Sequence, residues 1–223
     1  MKNTLRLLIS IVFIIIPSVI VITAIRVALT PLFISVEYRL PGFPPDEFGF
    51  TTEDRLYWSD YSIDYLLGRI SHQDLTDTKL KDGTPLFNQR ELAHMLDVRI
   101  LTQQVLLIWK VILLLLLTLT IVAIRSNMSR VLVNSIKRGA LLTILIIFTV
   151  LLYLAINFNQ LFTQFHQLFF EGGTWLFYLS DNLIRLFPLR FWRDIFLFIG
   201  GLSTLISFFI ILIPFRISEN RDS

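Results

Sequence analysis

Four long apolar stretches dominate the pattern of hydrophobic and polar positions along this chain. They lie at residues 7–25, 105–124, 139–158 and 195–215, and each is close to the roughly 20 residues that a helix needs to cross a bilayer. None shows the polar–apolar alternation of a barrel strand, and a helix is the other backbone form whose hydrogen bonds are satisfied in lipid. The pattern therefore predicts an all-α membrane protein with four transmembrane helices.

The polar stretches between the spans divide the chain into three parts. Residues 1–31 hold the first span, which we expect to be an uncleaved anchor because no A-x-A cleavage site follows it. Residues 32–103 are too polar for lipid and long enough for a small extracytoplasmic cap. Residues 104–223 hold the other three spans, a loop at 125–138 and an aromatic segment at 159–194.

The cap is predicted to contain both a strand and helices. Residues 33–40 are rich in β-branched and aromatic side chains, which favours a strand, whereas 52–67 has apolar residues at helical spacing. Asn88 with Glu91 three residues later is similar to a capping box, so a helix is expected to begin there and run into the second span. These elements together predict a small α+β cap.

The segment 159–194 is unusually rich in aromatic residues. Residues 160–171 are expected to prolong the third span as a helix, and 180–187 to form a short amphipathic helix. Aromatic rings are common where a span meets the lipid headgroups. Their density here favours a re-entrant or interfacial segment over a plain connection.

Charge is distributed unevenly over the predicted loops. The termini and the loop at 125–138 contain only Glu219 and Asp222 as acidic residues, and short basic loops mark the cytoplasmic side of a membrane. We therefore expect both termini in the cytoplasm and the cap outside, and no nucleic-acid partner despite the net charge of +3. The basic residues of these segments are Lys2, Arg6, Arg125, Arg130, Lys137, Arg138, Arg216 and Arg221.

Two of the three histidines lie just beyond the outer ends of predicted spans. By helix rise, His94 would lie roughly 16 Å above the start of the second span and His166 roughly 12 Å above the end of the third. Imidazole exchanges protons near neutral pH, which suits acid–base chemistry. The pair predicts an active site on the extracytoplasmic face, acting on a lipid-linked substrate.

The neighbours of the two histidines differ in character. Glu91 and Asp97 lie at helical spacing on either side of His94, with Arg99 nearby, and such carboxylates can orient an imidazole and stabilise its charged form. Apolar surroundings instead lower the pKa of a histidine and keep it a base. Around His166 the helix carries Phe162, Phe169 and Phe170.

A metal site and a serine hydrolase are the competing interpretations. Glu-x-x-His occurs once, at 91–94, whereas di-iron bundles need it twice with further carboxylates. HExxH and the G-x-S-x-G nucleophile motif are absent, and the chain has no cysteine. We expect no metal and no cofactor, and a structural role for His72 in its polar surroundings.

Four sequence segments together resemble a known family. They are Glu-Leu-Ala-His-Met-Leu-Asp-Val-Arg at 91–99, Phe-His-Gln-Leu-Phe-Phe-Glu-Gly-Gly-Thr-Trp at 165–175, Ser-Ile-Asp-Tyr-Leu-Leu at 62–67 and Asp-Asn-Leu-Ile-Arg-Leu-Phe-Pro-Leu-Arg-Phe-Trp at 181–192. The chain resembles the bacterial lipoprotein intramolecular transacylases over nearly its whole length.

The resemblance implies a definite reaction in the bacterial cell membrane. Such enzymes move the sn-2 acyl chain of a lipoprotein's diacylglyceryl group onto the α-amino group of its N-terminal cysteine, which gives an N-acyl, lyso-form lipoprotein. Catalysis is assigned to two histidines, which match His94 and His166, and the sequence leaves open which is base and which is acid. Glu91, Asp97 and Arg99 would support them. The residues expected to bind acyl chains are Phe162, Phe165, Phe169, Phe170, Trp175 and Tyr178.

The expected partners are a diacylglyceryl-modified lipoprotein and membrane lipid, with the enzyme as a monomer. Two other hypotheses remain open at this point. One is transfer or hydrolysis of acyl chains on free phospholipids by the same histidines. The other is a non-enzymatic membrane scaffold or transporter subunit, although transport predicts more polar residues along the spans than this chain has.

Overall fold

The structure is a computed structural model that describes residues 2–170 and 173–214. Within these residues the regular elements are helices. In chain order they are α1 (Lys2–Ser10), α2 (Val12–Ala28), α3 (Pro31–Glu37), α4 (Thr52–Leu66), α5 (His72–Asp77), α6 (Gln89–Arg125), α7 (Ser129–Phe169), α8 (Asn182–Leu186) and α9 (Leu189–Leu212).

Four helical stretches are long and apolar enough to cross a membrane, which confirms the four helices expected from the apolar pattern. They are Lys2–Ala28, formed by α1 and α2, and the three helices Gln89–Arg125, Ser129–Phe169 and Leu189–Leu212. The predicted end of the last span, at 215, lies outside the described residues.

Two of these helices extend well past the apolar spans that they contain. At 1.5 Å per residue, α6 is about 55 Å long, whereas the hydrocarbon core of a bilayer is about 30 Å thick. Its first part, 89–104, precedes the apolar span and carries Arg90, Glu91, Asp97 and Arg99. Residues 159–169 of α7 likewise follow the third span. Both candidate histidines lie in these extensions.

The predicted strand at 33–40 is wrong, because Pro31–Glu37 forms helix α3. A proline stands at the first helical position, where its missing N–H leaves no helical hydrogen bond unmade. Thr30 is the N-cap, and its hydroxyl accepts a hydrogen bond from the Phe33 N–H at 3.5 Å. Phe33 and Ile34 are buried. This start signal and this burial outweigh the β propensity of the branched residues.

The α+β cap of the prediction is therefore corrected to a helical one. Within the described ranges its β structure is limited to an isolated bridge between Lys79 and Pro85. The helix predicted at 52–67 is confirmed as α4, and a capping box between Thr51 and Asp54 starts it.

The predicted capping box at the start of α6 is also confirmed. Asn88 Oδ1 accepts a hydrogen bond from the Glu91 N–H at 3.1 Å, and the Glu91 carboxylate accepts one from the Asn88 N–H at 2.7 Å. These bonds satisfy N–H groups that every helix start leaves unpaired. The helix then runs from Gln89 to Arg125 and carries His94 ahead of the second span.

The aromatic extension of the third span is helical, but it is not continuous with the span. Asn157 has non-helical angles (φ −155°, ψ 83°), and its Oδ1 accepts a hydrogen bond from the Gln160 N–H at 3.0 Å. An asparagine in this role caps a new helix. The extension therefore starts afresh after Asn157 and ends at Phe169. Residue 171, the predicted end, lies outside the described residues.

The predicted re-entrant or interfacial segment is not supported and is corrected. Residues 173–181 form turns and irregular backbone, and the amphipathic helix expected at 180–187 is the short α8. Leu183 and Leu186 of α8 are buried in a protein core rather than left for lipid. The apolar side of this helix is thus used for packing within the protein.

The chain divides into two compact units, each with a core of its own. The first takes the described parts of Met1–Ile25, Leu107–Leu151 and Ile199–Ser223, and the second takes Arg26–Leu106 and Leu152–Phe198. The core of the first is formed by Ile9, Val12, Ile16, Ile20, Ala123, Leu132 and Ala140. The core of the second is formed by Tyr65, Leu75, Leu86, Phe87, Leu92, Met95, Leu183 and Leu186.

Gly139 provides a test of helix packing in the first unit. A Cβ built on Gly139 would lie 2.5 Å from Ile16 Cβ and 2.8 Å from the Phe13 carbonyl oxygen, whereas a Cβ on Gly201 would meet nothing within 4 Å. We expect Gly139→Ala to lower the free energy of unfolding in detergent by about 1–3 kcal/mol, because the two helices cannot move apart freely. The matched control Gly201→Ala should leave it unchanged or raise it by up to about 1 kcal/mol. Equal stabilities of the two variants would contradict this packing.

Candidate active site

The two predicted histidines face each other in the second unit. Their ring centroids are 6.0 Å apart and the ring planes differ by 23°. His94 comes from α6 and His166 from the part of α7 after Asn157, and each is 6% exposed. Two imidazoles at this spacing can both contact one small group bound beside them. The structure thus brings together two residues that are 72 positions apart in the sequence.

The tautomer of His166 is determined by its own helix. Its Nδ1 lies 2.8 Å from the carbonyl oxygen of Phe162, one turn earlier. A carbonyl oxygen only accepts hydrogen bonds, so Nδ1 carries the proton and donates it. In the neutral ring Nε2 then has the free lone pair. This is the form that a general base requires.

His94 also has an apolar environment, but its pattern of hydrogen bonding differs from that of His166. Its ring packs edge-to-face on Phe170 at 4.9 Å and on Phe177 at 5.4 Å. Its Nδ1 is buried and has no hydrogen-bond partner in the part of the chain that the structure describes. A buried N–H without an acceptor is costly. This favours the tautomer in which Nδ1 is unprotonated and Nε2 carries the hydrogen.

Desolvation governs the protonation of both imidazoles. Burial, and after it the charge of nearby His166, lowers the pKa of His94 from 6.5 to about 4. Burial also lowers the pKa of His166, and its hydrogen bond to Phe162 opposes that shift. A charged imidazole loses more by leaving water than a neutral one does. Both rings are therefore neutral at pH 7, each with one N–H and one lone pair.

Glu91 is buried beside this site, but it does not hydrogen-bond to His94 within the described residues. Its carboxylate accepts hydrogen bonds from the Leu183 N–H at 2.6 Å and from the Asn88 N–H at 2.7 Å. Burial raises the pKa of this carboxyl above its ordinary value, although the hydrogen bonds from the two N–H groups partly oppose the shift. Glu91 therefore joins the start of α6 to the start of α8, and it supports the helix that carries His94.

The other two predicted supporting residues also lie away from the imidazole nitrogens. Arg99 donates a hydrogen bond to the Ile70 carbonyl oxygen at 2.9 Å, and its guanidinium lies 4.6 Å from the centre of the Tyr65 ring. Asp97 is half-buried. Its carboxylate forms no hydrogen bond or ion pair to any residue within 2–170 and 173–214.

Four of the six predicted aromatic residues surround the imidazoles. Around His166 the ring-centre distances are 4.1 Å to Phe162, 4.9 Å to Trp175, 5.6 Å to Phe165 and 5.6 Å to Phe170.

The remaining two predicted aromatic residues stand further out. Phe169 packs on Phe165 at 5.0 Å and is 47% exposed. Tyr178 is 69% exposed, and its ring lies below the guanidinium of Arg90 at 4.9 Å. Within the described residues neither ring packs on an imidazole ring, so these two residues border the site rather than form its wall.

The sequence prediction missed Phe177, which packs directly on His94. It lies in the non-helical segment 173–181, where no periodicity indicates which of the neighbouring aromatic residues points inward. The sequence also gave no signal for the bond between Glu91 and the Leu183 N–H, because it joins residues far apart in the chain. Within the described ranges no group of three or more His, Cys, Asp or Glu side chains is placed to hold a metal ion.

Four apolar helices and a dry pair of imidazoles on two of them define a multi-pass membrane protein with a candidate proton-transfer site. The family model of the lipoprotein intramolecular transacylase Lit matches residues 7–192. The chain therefore belongs to the lipoprotein intramolecular transacylase family, as the sequence motifs indicated.

The proteins similar to this chain include ones from Aquifex aeolicus and Bacillus cereus. An uncharacterized protein of Aquifex aeolicus (strain VF5) is 30% identical over 202 residues, which is 90% of each chain. The in meso structure of the membrane-integral lipoprotein intramolecular transacylase Lit from Bacillus cereus is similar with a TM-score of 0.71 and 21% identity, over 95% of this chain and 97% of that one. A form of that enzyme in which a histidine is replaced by alanine is similar with a TM-score of 0.64 and 19% identity, over 94% of this chain and 90% of that one. At these identities the structures show a shared fold.

The protonation of the two buried histidines can be measured directly. In protein labelled with nitrogen-15 at histidine, we expect the His94 imidazole to remain neutral at pH 6, and His166 to titrate below 6.5, because burial disfavours the charged rings. The unfolded chain takes up these protons first, so the free energy of unfolding falls as pH drops below 6.5. For His94 this loss ends at about pH 4. A His94 titration midpoint near 6.5 would contradict the dry site.

Proposed function

We propose that this protein transfers the sn-2 acyl chain of a diacylglyceryl-modified lipoprotein to the α-amino group of the lipoprotein's N-terminal cysteine. The observation that carries the proposal is the pair of neutral imidazoles 6.0 Å apart within an aromatic shell. One of these rings has a free lone pair and the other an N–H to donate. Membership of the transacylase family supports the same reaction.

The main obstacle to this reaction is geometric. The amine and the ester belong to one molecule, but several rotatable bonds separate them, and they must meet in a medium-sized ring. Holding the two groups in a near-attack arrangement can supply about 7–11 kcal/mol of the barrier. An aromatic shell suits this task, because it binds the apolar chains and limits the conformations that they can adopt.

For the chemical step, the enzyme needs to supply only proton transfers. An α-amino group has a pKa of roughly 8, so its neutral form is accessible at neutral pH. As the nitrogen bonds to the acyl carbon, the amine loses a proton and the sn-2 carbon–oxygen bond breaks. The leaving oxygen takes up a proton. Electrons and protons balance within the substrate and the two imidazoles, so we propose a reaction without metal or cofactor.

We assign the role of base to His166 and the role of hydrogen-bond donor to His94. His166 Nε2 accepts the amine proton, since its Nδ1–H is already bound to Phe162. The N–H of His94 stabilises the oxyanion that forms on the ester carbonyl. The protonated His166 then returns its proton to the leaving sn-2 oxygen. General acid–base assistance of this kind contributes about 10²–10⁴-fold.

The other predicted residues act on this site from outside the reacting atoms. Glu91 and Arg99 hold the cap end of α6 through the Leu183 N–H and the Ile70 carbonyl oxygen, and Asp97 lies on the same stretch of helix. The aromatic residues form the acyl-chain site. We further propose that the enzyme works as a monomer, with both termini in the cytoplasm and the imidazoles on the extracytoplasmic side.

Fragmentation mass spectrometry of a lipoprotein N-terminus tests the reaction. Reactant and product have the same mass because the transfer is intramolecular, so the acyl chain must be located on nitrogen by tandem fragmentation. We expect N-acyl lyso-lipoprotein only when this protein is present, and a loss of about 10²–10⁴-fold in His94→Ala and His166→Ala. His72→Ala is the matched control, since His72 is exposed and bonds to Tyr65.

Three results of that experiment would contradict the proposal. One is an unchanged diacylglyceryl-cysteine in the presence of the protein. Another is near-normal transfer by both active-site variants. The third is acyl transfer to or from free phospholipids in place of the lipoprotein, which would move the chemistry to another substrate.

Glutamine variants test the division of roles. A glutamine side chain can present an N–H close to the position of an imidazole Nε2–H, but it cannot act as a base at neutral pH. We therefore expect His94→Gln to exceed His94→Ala by up to about 10²-fold in transfer rate, the worth of one oxyanion donor. His166→Gln should be no faster than His166→Ala. If instead glutamine restored transfer relative to alanine at position 166 but not at position 94, His166 would be the hydrogen-bond donor and His94 the base.

A further inference from the structure

We propose that Arg90 and Asp181 are positioning residues that hold the segment 173–181 over the two histidines and so keep water from the acyl group. This inference rests on the proposed transfer reaction. It adds a reason why the acyl chain is passed to an amine and not to water.

One short segment covers both imidazoles. Trp175 packs on His166 with ring centres 4.9 Å apart, and Phe177 packs on His94 at 5.4 Å. The backbone at 176–178 has no regular secondary structure, so no helical hydrogen-bond ladder fixes the two rings. Their positions depend on what the segment itself is attached to.

The attachment is a carboxylate shared by three donors. Asp181 Oδ2 accepts hydrogen bonds from Arg90 Nη2 at 2.7 Å and from the Tyr178 N–H at 2.8 Å, and Oδ1 accepts one from Asn88 Nδ2 at 3.1 Å. The Arg90 guanidinium also lies 5.5 Å from the centre of the Phe177 ring. Arg90 and Asn88 therefore tie the covering segment to the start of the helix that carries His94.

The surroundings make this pair stronger than a typical surface ion pair. The side chain of Asp181 is 11% exposed and that of Arg90 is 40% exposed. Charge-assisted hydrogen bonds that are partly withdrawn from water are roughly twice as strong as neutral ones. The pair of Arg69 and Asp64 has the same N–O distance of 2.7 Å, but its side chains are 55% and 41% exposed. Exposed pairs of that kind contribute little.

Water has a place close to the site. A cavity of about 180 Å³ lies beside the attachment, lined by Pro85, Asn88, Glu91, Ser180, Asp181 and Asn182. The cavity is open to the surface and most of its lining residues are polar, so water can enter it. Glu91 stands one helical turn before His94, so the rings of Trp175 and Phe177 must keep that water away from the imidazoles.

The same imidazoles would activate water if it reached them. The water oxygen would bond to the acyl carbon, the sn-2 carbon–oxygen bond would break, and the leaving oxygen would take one of the protons of the water. The products would be a free fatty acid and a lyso-lipoprotein with a free α-amine. Unlike the transfer product, this species has lost the mass of an acyl chain.

The test is the ratio of the two products in Arg90→Gln and Asp181→Asn, with Arg69→Gln as the matched control. We expect the first two variants to lose about tenfold to 100-fold in transfer, since small misplacements near reacting atoms have effects of that size. Deacylated lipopeptide and free fatty acid should rise in the same samples. Arg69→Gln should match the wild type, and Arg90→Lys should recover part of the transfer.

In the double variant the loss of transfer should be smaller than the sum of the two single losses in free energy, because both substitutions remove the same contact. A wild-type product ratio in both single variants would overturn the inference. Loss of transfer without any rise in deacylated product would also overturn it, because that result indicates a purely structural role. A wild-type enzyme that makes no N-acyl product would instead refute the proposed reaction itself.

Discussion

Withdrawal of two imidazoles from water is the constraint on which the site depends. Burial lowers the pKa of both rings, so each is neutral and can serve as a lone-pair base or as an N–H donor. A charged pair at 6.0 Å would repel, and an exposed pair would admit water as a nucleophile. The aromatic shell around the rings therefore has two effects: it keeps the imidazoles neutral, and it keeps water away from them.

That constraint explains why the chemistry lies on extensions of two spanning helices. The ends of these helices supply fixed backbone positions for His94 and His166 without placing a polar group in hydrocarbon. The break at Asn157 separates the lipid-facing part of α7 from its aromatic part. A side-chain cap restarts the helix, so its direction can change with few hydrogen bonds lost.

The features that are encoded locally could be predicted from the sequence. The four apolar helices follow from length and hydropathy, and the Asn88–Glu91 capping box follows from residue spacing. The prediction of a strand at 33–40 was wrong because it was based on β propensity alone and did not consider that Thr30 and Pro31 form a helix start. Pairing of His94 with His166 was expected from their common height. The inward position of Phe177 was not, since irregular backbone has no period from which a face can be inferred.

The contacts that the sequence could not reveal are those that join α6 to the segment around α8. Glu91 and Asn88 both stabilise the start of α6, and both also bond to residues more than 90 positions later, Leu183 and Asp181. A capping box needs only the two bonds between Asn88 and Glu91. The two bonds to distant residues couple the helix that bears one imidazole to the segment whose rings cover both. The same few polar groups thus define where a helix begins and how dry the site beside it remains.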